Sequence, residues 1–171
     1  MPRWFWPRLK AKAFIYNCRQ AERKFAIKFW EQKLLAELDA EEWEQLCDGC
    51  GRCCMLKLED EDTEDVAYTG MVCGLLDLET INCTQYPQRH ELVPDCVVFD
   101  AAGAESFGWL PKSCAYRRLA EGRSLAWWHP LISGTRQTVV DAGISVHGRV
   151  VSEDNVHPDE HESMVVTWVE Y

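Results

Sequence analysis

At 171 residues the chain fits one domain with a real hydrophobic core, and its 47% apolar and 27% charged residues are ordinary for a globular protein. No stretch approaches the roughly 20 apolar residues of a membrane-spanning helix, which excludes an integral membrane reading and points to a soluble protein. The net charge of −10 is lopsided: residues 1–28 hold eight Lys or Arg and a single acid, Glu22, while the remainder carries ten bases and 27 acids.

A basic arm, 1–28, therefore precedes an acidic domain, 29–171. Affinity for nucleic acid comes largely from cationic neutralisation of phosphates, so an acidic body is expected to have no nucleic-acid partner; only the arm could touch DNA, RNA or anionic lipid. The arm (MPRWFWPRLKAKAFIYNCRQAERKF) lacks the continuous apolar stretch and small-residue cleavage site of a secretory signal, and a cytoplasmic location is expected. Its basic character also suits an organelle transit peptide, but Ser is not enriched, and a basic amphipathic first helix accounts for the same letters.

In chain order, FAIKFWEQKLLAELDAEEWEQL (25–46) carries Phe29, Trp30, Leu34, Leu38 and Trp43 at helical spacing and predicts helix with a break near Asp39. Asp39 suits the N-cap of a second short helix, AEEWEQL, with acids in its first turn. CDGCGRCC (47–54) predicts a loop, because Gly49 and Gly51 permit positive φ. LKLEDEDTEDV reads as an acidic turn, and VCGLLDLETINC as two short strands around Cys73 and Cys83. CVVFD is a short β-prone run. SCAYRRLAEG predicts a helix from Ser113 as N-cap to Gly122 past its end. QTVVDAGISVHGRVVSE, rich in β-branched residues, reads as a strand or hairpin, and MVVTWVEY as another strand. The expected fold is α+β: one small domain, with helices and short strands arranged around a cysteine-rich metal site.

Nine cysteines are many for such a chain. In a reducing compartment, clustered thiols read first as metal ligands and second as redox groups. Cys47, Cys50 and Cys53 form a C-x2-C-x2-C run whose thiolates can reach one centre, and such a triple followed by a distant fourth ligand tilts toward a [4Fe–4S] cluster over paired zinc knuckles. Cys54 is vicinal to Cys53, and because vicinal side chains diverge, one of the two is expected to face a second site or the core. With Cys73, Cys83, Cys96 and Cys114 the set holds eight thiols, enough for two four-cysteine sites or for one cluster with spare thiols, and spacing does not choose. The alternative for each is a small buried hydrophobe, which Cys18, alone on the arm, fits best.

The runs WEQLCDGCGRCCMLKLEDEDTEDV, CGLLDLETINCTQYPQRHELVPDCV and LPKSCAYRRLAEGRSLAWWHPLISG resemble the YcgN-like branch of the bacterial CxxCxxCC family over about residues 29–170. That family is described as chelating zinc or iron, with no established reaction. The resemblance implies Cys47, Cys50, Cys53, Cys54, Cys73, Cys83 and Cys96 as metal ligands and zinc or iron as the cofactor; the family gives no substrate to carry over.

Elsewhere, His157 and His161 stand four apart, where a helix would put both imidazoles on one face, although a solvated turn explains them more simply. His90 and His129 could complete a cysteine site or hydrogen-bond a carbonyl. Tyr86 and Arg89, between Cys83 and Cys96, suit support of thiolate charge. Asp48, Glu59, Asp60 and Glu61 show no calcium-loop spacing and read as a solvated face. The eight tryptophans read as core packing. Three functions follow: a metal-binding protein with no assigned reaction, an iron or iron–sulfur enzyme with an open coordination position, or a thiol redox protein.

Overall fold

The computed structural model describes residues 28–97, 100 and 107–170. The basic arm with Cys18, and the centre of the CVVFD run, lie outside the described residues.

Helix in the N-terminal half is shorter than the apolar spacing predicts. A single turn, α1 (Phe29–Gln32), is followed by extended backbone at Lys33 and Leu34 and a 3-10 turn at Leu35–Glu37. The Glu37 carboxylate accepts from the Leu34 amide at 2.8 Å, a local bond that competes with continued helix. The break lets Phe29, Trp30, Leu35, Leu38 and Trp43 all reach one aromatic cluster built on Leu46, Phe107, Leu110 and Tyr116. At Asp39 the expected cap is present: its carboxylate accepts from the Glu42 amide (2.9 Å) and the Glu42 carboxylate from the Asp39 amide (3.1 Å). This reciprocal pair opens α2 (Ala40–Gln45) and delivers the chain into the cysteine loop.

After the loop comes a hairpin that the acidic letters conceal. β1 (Met55–Glu59) pairs antiparallel with β2 (Val66–Val72), from Met55↔Val72 to Glu59↔Val66. Only 60–65 forms the turn, where the Asp60 carboxylate accepts from the amides of Asp62 and Thr63. The acids therefore mark the end of the hairpin, while β2 is buried along most of its length. A second hairpin, β3 (Leu76–Asp77) with β4 (Asn82–Cys83), matches the expected ribbons around Cys73 and Cys83. Tyr86–Gln88 is a 3-10 turn leading into α3 (Arg89–Leu92).

The helix expected from Ser113 begins one residue later: α4 spans Ala115–Ala120 with Cys114 at the N-cap position, because the Ser113 hydroxyl accepts from Arg52 instead. The strand or hairpin expected at 137–153 is corrected. Gln137–Asp141 is helix (α6, after α5 at Pro130–Ser133), and only Val151–Ser152 forms a strand, β5, parallel to β2. One helical turn buries Val139 and leaves Val140 exposed, with the Gln137 side-chain Nε2 donating to the Asp141 carboxylate, so packing overrides the β preference of paired valines. The C-terminal run contributes only a bridge, Thr69↔Val165, beside a 3-10 turn at Pro158–Met164.

The result is the expected α+β architecture: a three-stranded sheet ordered β1-β2-β5, a separate two-stranded hairpin and short helices. Two hydrophobic clusters flank the cysteine loop. One is the aromatic cluster above; the other gathers Met55, Tyr68, Val72, Leu76, Ile81 and Val146. Among the described residues no helix is long and apolar enough to cross a membrane.

Arg52 ties the loop to the far side of the fold. Only 5% exposed, it donates to the carbonyls of Ile144 (2.7 Å) and Gly143 (3.2 Å) and to the Ser113 hydroxyl (3.2 Å). A lysine has one nitrogen and cannot serve three acceptors set in a fork. Arg52→Lys is expected to cost about 2–3 kcal/mol, read as a lower denaturant midpoint with an unchanged slope.

Candidate metal centre

Every cysteine among the described residues is free, and all eight line one cavity of about 730 Å³. They arrive from five stretches of chain: the loop 47–54, the turn before β3, β4, the segment after α3, and the start of α4. This brings together all seven predicted ligands, Cys47, Cys50, Cys53, Cys54, Cys73, Cys83 and Cys96, and adds Cys114.

The loop is held by backbone and Asx bonds rather than by regular structure. The Asp48 carboxylate accepts from the Cys50 amide (3.0 Å), and the Cys50 carbonyl accepts from the Val146 amide (2.9 Å). Gly49 and Gly51 sit at φ +71° and +78°, as the turn chemistry requires. A Cβ at Gly51 would lie 2.6 Å from Ile81 Cγ2 and 2.7 Å from Val146 Cγ2, so the loop backbone presses directly on the hairpin cluster. Residues Arg52–Cys54 then form a 3-10 turn that splits the vicinal pair: Cys53 packs against the aromatic cluster together with Cys114, Cys54 against the hairpin cluster. Their sulfurs are 4.0 Å apart.

Burial and crowding raise six of these thiols. Cys47, open to solvent on one side and densely surrounded on the other, is pushed up to about 12 by burial and then by Cys53 and Asp48. Cys114 reaches about 12 through burial, opposed by the amides of Arg117 and Tyr116. Cys50 rises through burial and then Asp48. Cys53 rises through its bond with Cys54 and then burial. Burial raises Cys73 and Cys96 too, and Arg89 opposes the rise at Cys96 by its charge and a hydrogen bond. Lys57 is lowered by burial and supported by Cys53 and Cys54; its ammonium donates to the carbonyls of Cys53 (3.1 Å) and Met55 (2.8 Å). Cationic groups thus already stand beside the thiols, as a site that must carry thiolates requires.

Asp48 is the oxygen that composition alone did not single out. It is 5% exposed, lines the same cavity, and its Oδ2 is buried with no hydrogen-bond partner. A buried carboxylate oxygen in that state costs free energy unless something satisfies its lone pair. Thiolate-forming sulfurs plus this one oxygen are a donor set for zinc or iron and a poor one for a hard cation such as calcium. Among the described residues no three Cys, His, Asp or Glu side chains are already gathered at metal-ligand spacing, so the donors face the cavity without closing on one point.

The histidines do not join the site. His129 is 2% exposed, and its ring is fully engaged: Nε2 lies 3.0 Å from the Leu46 carbonyl and Nδ1 accepts from the Leu131 amide at 3.1 Å. Burial lowers its pKa, keeping it a neutral brace beneath the loop. His157 caps the Pro158–Met164 turn, Nδ1 accepting from the Asp159 amide. That turn is 3-10, with three residues per turn, so the spacing of four does not align His157 with His161. None of His90, His157 and His161 lines the cavity. Arg89 does line it, stacked on Tyr86 at 3.8 Å, while the Tyr86 hydroxyl donates to Glu44.

A stretch matching the domain described as "Putative zinc- or iron-chelating domain" runs over residues 46–115, one residue before Cys47 to one after Cys114, and so contains all eight described cysteines. The chain is thus a CxxCxxCC-domain protein. It belongs to the UPF0260 family: it is 56% identical to a UPF0260 protein of Gluconacetobacter diazotrophicus over 133 residues, 78% of this chain and 83% of that one. It is 52% identical to the Marinobacter nauticus member over 143 residues, 84% of this chain and 97% of the relative. For the Parvibaculum lavamentivorans member the identity is 50% over 140 residues, 82% and 92% of the two chains. No solved structure matches the chain.

Proposed function

We propose that the protein is a cytoplasmic metalloprotein that chelates iron in its cysteine cavity, with Cys47, Cys50, Cys53 and Cys114 holding a [4Fe–4S] cluster. The observation that carries this reading is the convergence of eight unpaired thiols from five stretches of chain on one cavity. Structural burial of free cysteines would scatter them through both hydrophobic clusters; among the described residues only Cys53, Cys54 and Cys114 touch a cluster, and each also faces the cavity. The spacing of the triple, followed by a distant fourth cysteine, favours a cluster over paired zinc knuckles. Asp48, whose buried Oδ2 has no hydrogen-bond partner, lines the same cavity and offers an oxygen donor there.

Thiol exchange is supported less well. An attacking cysteine needs a lowered pKa, whereas Cys47, Cys50, Cys53, Cys73, Cys96 and Cys114 are all pushed upward. A metal ion deprotonates such thiols on binding.

Elemental analysis and a visible spectrum of protein purified without oxygen test the proposal. Iron with sulfide and a broad band near roughly 400 nm is the expected result. Zinc with no visible absorption would replace the cluster by a closed zinc site, and protein free of both metals would overturn chelation altogether. Cys114→Ser is expected to reduce the metal retained, since it removes the fourth sulfur; retention equal to the unsubstituted chain would return Cys114 to a packing role.

A further inference from the structure

We infer that the cavity is a two-centre site, in which Cys54, Cys73, Cys83 and Cys96 form a second thiolate centre for zinc or iron. The inference rests on the chelating role proposed above and divides the eight sulfurs that spacing alone left undivided.

The division begins at the peptide between Cys53 and Cys54. Cys53 shares the aromatic cluster with Cys114, and the electrostatic neighbours of the Cys114 thiol are Cys53 and Asp48. Cys47 and Cys50 likewise lie beside Cys53 and Asp48. Cys54 turns to the opposite cluster, whose Leu76 and Ile81 belong to the β3–β4 hairpin. The chain enters that hairpin from Cys73 and leaves it at Cys83, the two rim cysteines. The Cys73 amide donates to the Cys54 carbonyl at 3.0 Å, Cys83 pairs with Leu76 across the hairpin, and the Leu76 amide donates back to the Cys73 carbonyl at 2.9 Å. Cys54, Cys73 and Cys83 are thereby linked through backbone. Cys96 completes the group: among the thiols Cys83 acts on it most, ahead of Cys53, and Cys73 in turn lies beside both Cys96 and Cys83.

Cations stand beside both groups. Arg136 faces Cys47 in the first, and Lys57 lies between the two, beside Cys53 and Cys54. Arg89 approaches Cys96 in the second, held in place by stacking on Tyr86 and a bond to the Tyr86 carbonyl at 2.8 Å. The cavity, about 730 Å³ and lined by all eight sulfurs, is in the size range of a small-molecule pocket and leaves room for more than one centre.

Cobalt(II) is a spectroscopic probe of tetrahedral thiolate sites. Titrated into the full-length, metal-free, reduced chain under nitrogen, it is expected to saturate at two equivalents with intense sulfur-to-cobalt absorption. Cys73→Ser/Cys83→Ser should saturate at one. Saturation of the unsubstituted chain at one equivalent, unchanged by the double substitution, would overturn the second centre and leave the first standing. Loss of all binding in the double variant would show that the rim sulfurs serve a single shared centre, which also overturns the inference. No binding by any form would remove chelation itself. Should the double variant fail to fold, Cys96→Ser, in a side chain outside both hydrophobic clusters, gives the same readout, and the stoichiometry of the unsubstituted chain decides independently of any variant.

Discussion

Stripping the metal with a strong chelator under reducing conditions is expected to lower the thermal midpoint by on the order of 10 °C and to flatten the near-ultraviolet tryptophan signal. The residues that would lose their anchor are those linking the two hydrophobic clusters. Between Leu46 and Met55 the chain makes few regular backbone bonds: the Cys47 amide reaches Glu44, Cys54 reaches Gly51, and the Cys50 carbonyl is held by Val146. Without metal the loop keeps crowded thiols and a buried, unsatisfied Asp48 oxygen. A ligand present at about 1,000 times its dissociation constant adds about 4 kcal/mol to the folded state, and a chain of this size shifts by roughly 2–4 °C per kcal/mol. The β1–β2 pairing and the packing of Tyr68 and Val72 do not depend on the sulfurs, so strand signal should outlast the loss. Trp43, stacked on Tyr116 at 4.8 Å just before the loop, should report it. A midpoint unmoved by complete metal removal would separate the cysteines from folding and leave a metal-carrying role that the fold does not need.

How much of this was legible in the sequence depends on the range of the interactions involved. The Asp39 cap and the glycine-punctuated loop are local chemistry, and both stand where the letters put them. The short ribbons at Cys73 and Cys83 also emerge, since a hairpin closes over few residues. The β1–β2 hairpin was hidden because charge at Glu59–Asp65 describes the solvated turn and says nothing of the buried strand that follows. At Gln137–Asp141 the paired valines promised a strand, but burial of Val139 alone decided the local conformation. Cys114 and Asp48 illustrate the same limit for the site. Cys114 lies 61 residues beyond Cys53, and only packing against a common aromatic cluster brings the two together. Asp48 looks like any loop acid until its Oδ2 is found buried and unpartnered.

Gly51→Ala is expected to be the most damaging glycine-to-alanine change among the described residues, costing roughly 2–5 kcal/mol. Left-handed backbone at φ +78° charges an alanine about 1–2 kcal/mol. The added methyl would also meet Ile81 Cγ2 at 2.6 Å and Val146 Cγ2 at 2.7 Å, and overpacking of that kind costs about 1–3 kcal/mol. Neither neighbour can retreat cheaply. Ile81 closes the β3–β4 turn, whose Asp77 carboxylate holds the amides of Glu79 and Thr80, and Val146 donates its own amide to Cys50. Gly49→Ala makes the matched comparison. Its φ is also positive, but its methyl would approach the guanidinium of exposed Arg136, the far end of a flexible side chain that can swing aside. That substitution should cost only about 1–2 kcal/mol of backbone strain. Denaturant unfolding of both variants in the metal-free state isolates the packing difference. Repeating it with metal shows whether displacing the loop also displaces the sulfurs, because a loop pushed off Ile81 and Val146 carries Cys50 and Cys53 with it. Equal costs for the two alanines would mean that strain alone matters and that the loop does not rest on the hairpin.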